Sequence, residues 1–99
     1  MAKYDVHRIA SLDGWVLDVQ SDLLEPLNTR AVVPLIRIAS APKAARRLNP
    51  IFEVDGERVM MATQFISAVA LAELGKSEAN LGEQSEEITA ALDMLFQGF

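Results

Sequence analysis

Acid–base or nucleophilic chemistry in this chain would have to come from fourteen carboxylates, nine cationic side chains and one imidazole, with no thiol. The densest carboxylate group is Glu83, Glu86 and Glu87, at spacings a helix would turn to solvent. Burial is what raises a carboxyl pKa toward acid–base work, and nothing in the pattern buries these. His7 is the only histidine; without a second ligand of its kind it reads as a surface or edge-strand residue. There is no Gly-rich phosphate loop, HExxH, Cys nucleophile or Ser–His–Asp set. The residues assign no catalytic group, no metal site and no cofactor. Binding is the expected activity.

Three groups of residues could bind. Leu23 and Leu24 form an apolar pair inside the polar segment Ser21–Arg30, which Pro26 and Asn28 punctuate as a loop. Either one of them tucks under a sheet, or both make an exposed contact. Lys43, Arg46 and Arg47 lie among alanines in Ala39–Asn49, a short helix or ordered loop with a basic face. That face reads as solvated or as a receiver for an acidic peptide. The third group ends the chain. Gly98 is placed to adopt a left-handed C′ conformation, which leaves Phe99 either folded back in a Schellman motif or offered to a partner. Asp93, the helix dipole and a terminal carboxylate would surround that apolar tip with negative potential, suited to arginine on a protein rather than to phosphate.

The elements that must position these groups follow from periodicity. Asn80–Phe99 predicts an amphipathic helix of roughly 25 Å at about 1.5 Å per residue. Ile88, Ala91, Leu92 and Leu95 form its apolar face, with Asn80 as N-cap and Glu83, Glu86 and Glu87 near the positive end of the dipole. Alternation predicts a strand over Tyr4–Arg8, a hairpin turn at Asp13-Gly14 and a second strand over Trp15–Gln20. That second strand puts Trp15, Leu17 and Val19 on one face. Ala31–Ile38 reads as a third strand that Pro34 confines to an edge or bulge. Ile51–Val54 and Glu57–Thr63 form a hairpin around a type I′ turn at Asp55-Gly56. Met60 and Met61 face opposite sides, one toward the core and one toward an adaptable interface. Phe65–Leu74 is apolar and ambiguous between helix and strand, and Gly75–Asn80 reads as a linker.

Ninety-nine residues correspond to one domain, residues 1–99, able to bury a core without covalent help. The absence of cysteine, of an apolar run long enough for a membrane helix and of a signal-type h-region predicts a cytoplasmic protein. A net charge of −5 is the reverse of a nucleic-acid binder's footprint, so no direct nucleic-acid binding and no membrane attachment are expected.

Leu17-Asp18-Val19-Gln20-Ser21-Asp22-Leu23-Leu24, with the spacing to Arg30 and Val32-Val33-Pro34-Leu35, resembles the CcdB family of bacterial toxins. Leu48-Asn49-Pro50-Ile51, the turn at Asp55-Gly56, Met60-Met61-Ala62-Thr63 and the ending with Leu95, Phe96 and Gly98 resemble it in the same order. The resemblance implies a mainly β (α+β) fold, an SH3-like antiparallel barrel with a C-terminal α-helix, paired as a symmetric homodimer. It resolves Phe65–Leu74 in favour of a bend and a strand at about Ala68–Glu73. It further implies a toxin of a type II toxin–antitoxin module that binds the DNA gyrase A subunit, traps its cleavage complex and is neutralised by a cognate antitoxin in an operon-repressing complex. Gyrase contacts then fall on Leu23, Leu24, Asp93, Gln97, Gly98 and Phe99, and antitoxin contacts on Lys43, Arg46 and Arg47. The best-known family ending, Trp-Gly-Ile, is Gln97-Gly98-Phe99 here, and the family asparagine is Asp93. The alternatives are a divergent member that binds antitoxin without poisoning gyrase, and a ribonuclease of similar barrel fold, told apart by RNA cleavage.

Overall fold

Side chains alternate across a strand, so Val6, Trp15, Leu17, Val33 and Leu35 share one face of a curled antiparallel sheet and become its core. The computed structural model describes residues 2–98. Its strands are β1 (Asp5–Ile9), β2 (Gly14–Asp18), β3 (Thr29–Arg37), β4 (Ile51–Val54), β5 (Glu57–Met61), β6 (Ser67–Ala70) and β7 (Leu74–Asn80). They pair in the order β4-β5-β3-β2-β1-β7, with β6 added to the first half of β3. The helix α1 (Ser85–Gln97) closes the core with Ile88 and Ala91, while Leu92 packs at its margin. Phe52, Val54, Val59 and Met61 bring the β4–β5 hairpin into the same cluster. This is the mainly β, SH3-like barrel with a C-terminal helix.

Several local expectations hold. Asp55 at φ 52° and Gly56 at φ 78° make the type I′ turn, because both central residues must be left-handed there. Trp15 is fully buried, with its Nε1–H donated to Glu78. The guanidinium groups of Arg8 and Arg37 lie 4.7 and 4.8 Å from its ring centroid. Leu17 joins it in the core and Val19 packs against it.

Others are corrected. Pro34 lies in a central strand, not at an edge: β3 is paired with β2 on one side through Val32–Ile36. On the other side β6 pairs only through Val32 and β5 begins at Leu35, so the missing N–H of Pro34 falls where the ladder changes partner. His7 is buried in an interior strand, between β2 and β7, rather than at a surface or edge. Met60 and Met61 do face opposite sides, yet both are fully buried, because the face that holds Met60 is also covered. That second face keeps Val16, Val32, Asp18 and Arg30 from solvent as well. Gly75–Asn80 is strand rather than linker, since β7 pairs with β1 through shifts in register. The strand expected at Ala68–Glu73 is β6 over Ser67–Ala70, followed by a 3₁₀ turn over Leu71–Glu73.

The helix is also shorter than its pattern. It has 13 residues, roughly 20 Å at about 1.5 Å each, and begins at Ser85 behind a 3₁₀ turn over Gly82–Gln84. Asn80 does not cap it. Its Oδ1 accepts from the Gly82 N–H at 2.8 Å and its Nδ2 donates to Asp5, so it ends β7 and starts the turn.

Candidate protein-binding surface

A buried polar network sets the shape of the loop after β2. Asp18 accepts from Nε and Nη2 of Arg30 at 2.9 and 2.7 Å, and both side chains are essentially without solvent contact. The other Asp18 oxygen takes the Gln20 N–H. Gln20 then closes the loop with its own amide: Nε2 donates to the carbonyls of Leu24 and Thr29, and Oε1 accepts from the Ala31 N–H. Ser21 Oγ accepts from Leu23 N–H and starts a 3₁₀ turn over Asp22–Leu24. Backbone groups at both ends are thus satisfied from inside, and the apolar side chains point out. Leu23 is 90% exposed and Leu24 47%. The exposed contact wins over the tucked one.

The same surface extends past the residues that sequence reasoning selects. Leu27 is half exposed, and the bond from Leu71 N–H to the Asn28 carbonyl brings a further partly exposed leucine to the loop. Leu27 carried a signal, an apolar residue directly after Pro26; Leu71 lay in the ambiguous stretch.

At the other end of the chain, cover thins along α1. Ile88 and Ala91 are buried, Leu92 to Leu95 are partly covered, and Phe96, Gln97 and Gly98 are exposed. Phe96, 68% exposed, is the large apolar side chain at the tip. By period it continues the apolar stripe, eight residues after Ile88, so only its position past the packed part of the helix turns it outward. Gly98 has the expected left-handed conformation, φ 81°, and its N–H is shared between the carbonyls of Asp93 and Met94. Gln97 Nε2 reaches Asp93 Oδ1 at 3.5 Å, a weak contact that leaves both groups available. Phe99 and its two alternative roles lie outside the described residues.

The Leu23–Leu24 loop and the tip are not joined by a hydrogen bond or ion pair among the described residues; they are tied through one corner. Lys3 N–H donates to Asp22 Oδ1, Tyr4 N–H donates to the Asp18 carbonyl, and the Tyr4 carbonyl accepts from Leu81 N–H ahead of the helix. Tyr4 sits at φ 73°, uncommon for a bulky residue, held there by those bonds. Its ring lines a groove of about 340 Å³ with Glu86, Thr89 and Asp93. The chain's own Lys3 Nζ lies 5.1 Å from the centroid of that ring, and Glu86 and Asp93 are the charges the groove presents.

Lys43, Arg46 and Arg47 are exposed and make no ion pair among the described residues. They sit in an ordered loop, not a helix. Asn49 pins it: Nδ2 donates to the Met61 carbonyl and to Gln64, and Oδ1 accepts from Ala45 N–H. Thr63 Oγ1 also donates to the Leu48 carbonyl. Arg37 does not join this group, because its guanidinium holds Asp13 and Glu57.

The SH3-like barrel thus presents an apolar loop, an exposed apolar side chain near the end of α1 and a separate basic loop. The CcdB family profile, described as CcdB protein, matches residues 3–98, and the chain belongs to that family. Its fold is similar to solved toxins of low sequence identity. An endoribonuclease in complex with its cognate antitoxin from Mycobacterial species superposes with a TM-score of 0.76 at 14% identity, covering 97% of this chain and 94% of that one. The Mycobacterium tuberculosis toxin MazF-mt6 gives 0.75 at 13%, covering 93% and 95%.

Proposed function

We propose that this protein is the toxin of a type II toxin–antitoxin module, that it binds the DNA gyrase A subunit and traps the gyrase–DNA cleavage complex, and that a cognate antitoxin neutralises it. The observation that carries the reading is membership of the CcdB family over residues 3–98. The exposed Leu23, Leu24 and Phe96 supply the apolar contacts that this reading needs and support it. Mechanistically the toxin need only bind the opened state of gyrase better than the closed one. Each tenfold preference then shifts that equilibrium tenfold, about 1.4 kcal/mol. A homodimer with a twofold axis would present two tips to one target. Acting on gyrase places the protein in the cytoplasm.

We read the activity as binding rather than RNA cleavage. Arg30, the buried one of the four strand arginines, is held by Asp18, and His7 is buried too, so neither is placed to meet a phosphodiester. The test is purified protein with gyrase and supercoiled plasmid, scored for linear DNA after detergent and protease, beside a chain truncated before Gly98. Linear product from the full chain alone is the expected result. No linear product at saturating protein, with gyrases from several bacteria, would refute poisoning and leave a divergent, antitoxin-binding member. RNA cleavage by the same preparation would refute the binding-only reading.

A further inference from the structure

The Leu23–Leu24 loop and α1 are separate elements, and a single turn at the start of the chain stands between them. Asp5 N–H donates to the Ala2 carbonyl at 3.1 Å and closes a turn over Ala2–Asp5. The second residue of the turn faces the loop, with Lys3 N–H on Asp22 Oδ1 at 2.8 Å. The third residue joins both sides. Tyr4 N–H donates to the Asp18 carbonyl at 2.7 Å, and the Tyr4 carbonyl accepts from Leu81 N–H at 2.9 Å. Turns with a left-handed third residue give that place to glycine or asparagine. Here it is Tyr4, at φ 73°, so the surroundings must hold the turn in shape.

Two side chains supply that hold. One oxygen of the Asp5 carboxylate accepts from Ala2 N–H and the other from Asn80 Nδ2, both at 2.9 Å. The same Nδ2 lies 3.3 Å from the Lys3 carbonyl, while Asn80 Oδ1 takes the Gly82 N–H in the turn that leads into α1. One amide therefore ties the brace on the Ala2–Asp5 turn to the approach of the helix. The position needs an amide. A carboxylate there would keep the Gly82 bond but set a like charge against Asp5, and an apolar side chain would release both bonds. Neither Asp5 nor Asn80 belongs to the Leu23–Leu24 loop or to the exposed end of α1.

We propose that Asn80, acting through Asp5, is the positioning residue that fixes the Leu23–Leu24 loop and α1 in one geometry, so that a target meets both as a single rigid face. That the target is gyrase rests on the toxin reading. The physical ground is the cost of ordering. Surfaces free to shift against each other lose that freedom on binding, at the expense of affinity, whereas braced surfaces have already lost it on folding. Asn80 touches neither surface; it acts through the turn that both surfaces grip.

The test compares the full chain with Asn80→Ala, Asn80→Asp and the double swap Asp5→Asn/Asn80→Asp. The swap reverses donor and acceptor across the same contact: an amide at position 5 donates to a carboxylate at position 80, which still takes the Gly82 N–H. Amide hydrogen exchange is followed at Leu24, Glu25 and Leu27, whose N–H groups are bonded within the loop. Affinity for purified gyrase A subunit is measured beside it. Asn80→Ala should speed exchange of those three loop amides with far-UV dichroism unchanged, and weaken gyrase binding roughly tenfold. Asn80→Asp should do so more strongly at neutral pH, and the swap should return both readouts most of the way to the parent. A role confined to local stability would loosen Gly82 and leave the loop amides alone. Parent-like loop exchange in Asn80→Ala, a swap no better than Asn80→Asp, or a loosened loop with full affinity would each overturn the proposal. A direct contact of Asn80 with the target would likewise show as a swap that fails to restore binding. The exchange measurement needs no gyrase. A parent chain that does not bind gyrase would therefore sink the poisoning reading, while the positioning role is decided at the loop amides.

Discussion

Removing one member of the Asp18–Arg30 pair is the most demanding perturbation the structure offers. Both side chains lie in the interior, bonded through two N–H groups to one carboxylate oxygen. Breaking a buried pair by deleting one partner costs about 3–5 kcal/mol, a large part of the roughly 5–15 kcal/mol that holds a domain of this size. The two deletions differ. Asp18→Leu strands a guanidinium in the interior, so its deficit should be near the upper end. Arg30→Leu leaves a carboxylate whose other oxygen still holds the Gln20 N–H, so its deficit should be the smaller of the two. The double variant replaces the pair by apolar side chains and should lie within about 1–2 kcal/mol of the parent. Urea unfolding of the four proteins measures the cycle. A single-variant loss below about 1 kcal/mol, or a double variant as unstable as the two losses summed, would refute the assignment of this pair as the anchor of the loop. Because Asp18 also holds Gln20, amide exchange in residues 21–28 should quicken in Asp18→Leu before global unfolding.

Leu23→Ala and Phe96→Ala should leave stability within about 0.5 kcal/mol, since both side chains stand in water, while lowering linear product in the gyrase assay. A loss of stability matching the loss of activity would contradict that separation. Gly14→Ala should destabilise by about 2 kcal/mol or more, read by urea unfolding, because its φ of 143° is reserved for glycine and a Cβ would stand 2.6 Å from the Leu35 carbonyl oxygen. Burial is the largest single influence on the Asp5 carboxyl and raises its pKa, but the bonds from Asn80 and Ala2, with smaller charge effects, together outweigh it and hold the group below the usual carboxylate range. Its contribution to stability is therefore present above about pH 3.9 and lost as pH falls through the depressed value. Asp5→Asn should make the acid limb of the stability profile shallower, and an unchanged limb would count against the bonds as the cause.

Features that depend on near neighbours are legible in the residues alone. The Asp55-Gly56 turn, the left-handed Gly98 and the apolar stripe through Ile88, Ala91 and Leu92 follow from backbone and period, and each is in place. The motifs around Asp18-Val19-Gln20 and Leu48-Asn49-Pro50 were legible as a family pattern, yet their reason was not. Asp18 needs Arg30, and Asn49 needs the Met61 carbonyl, and both partners lie 12 residues away in sequence. Which faces are covered depends on how the strands pack in the folded chain. His7 and Met60 alternate correctly for a half-exposed sheet, but the second face is covered as well and both are buried. Tertiary structure also made Gly75–Asn80 a strand, because pairing with β1 outweighs weak local propensity there. Periodicity assigns Phe96 to the apolar stripe of α1; the point at which that helix runs out of packing partners makes it part of the candidate binding surface instead.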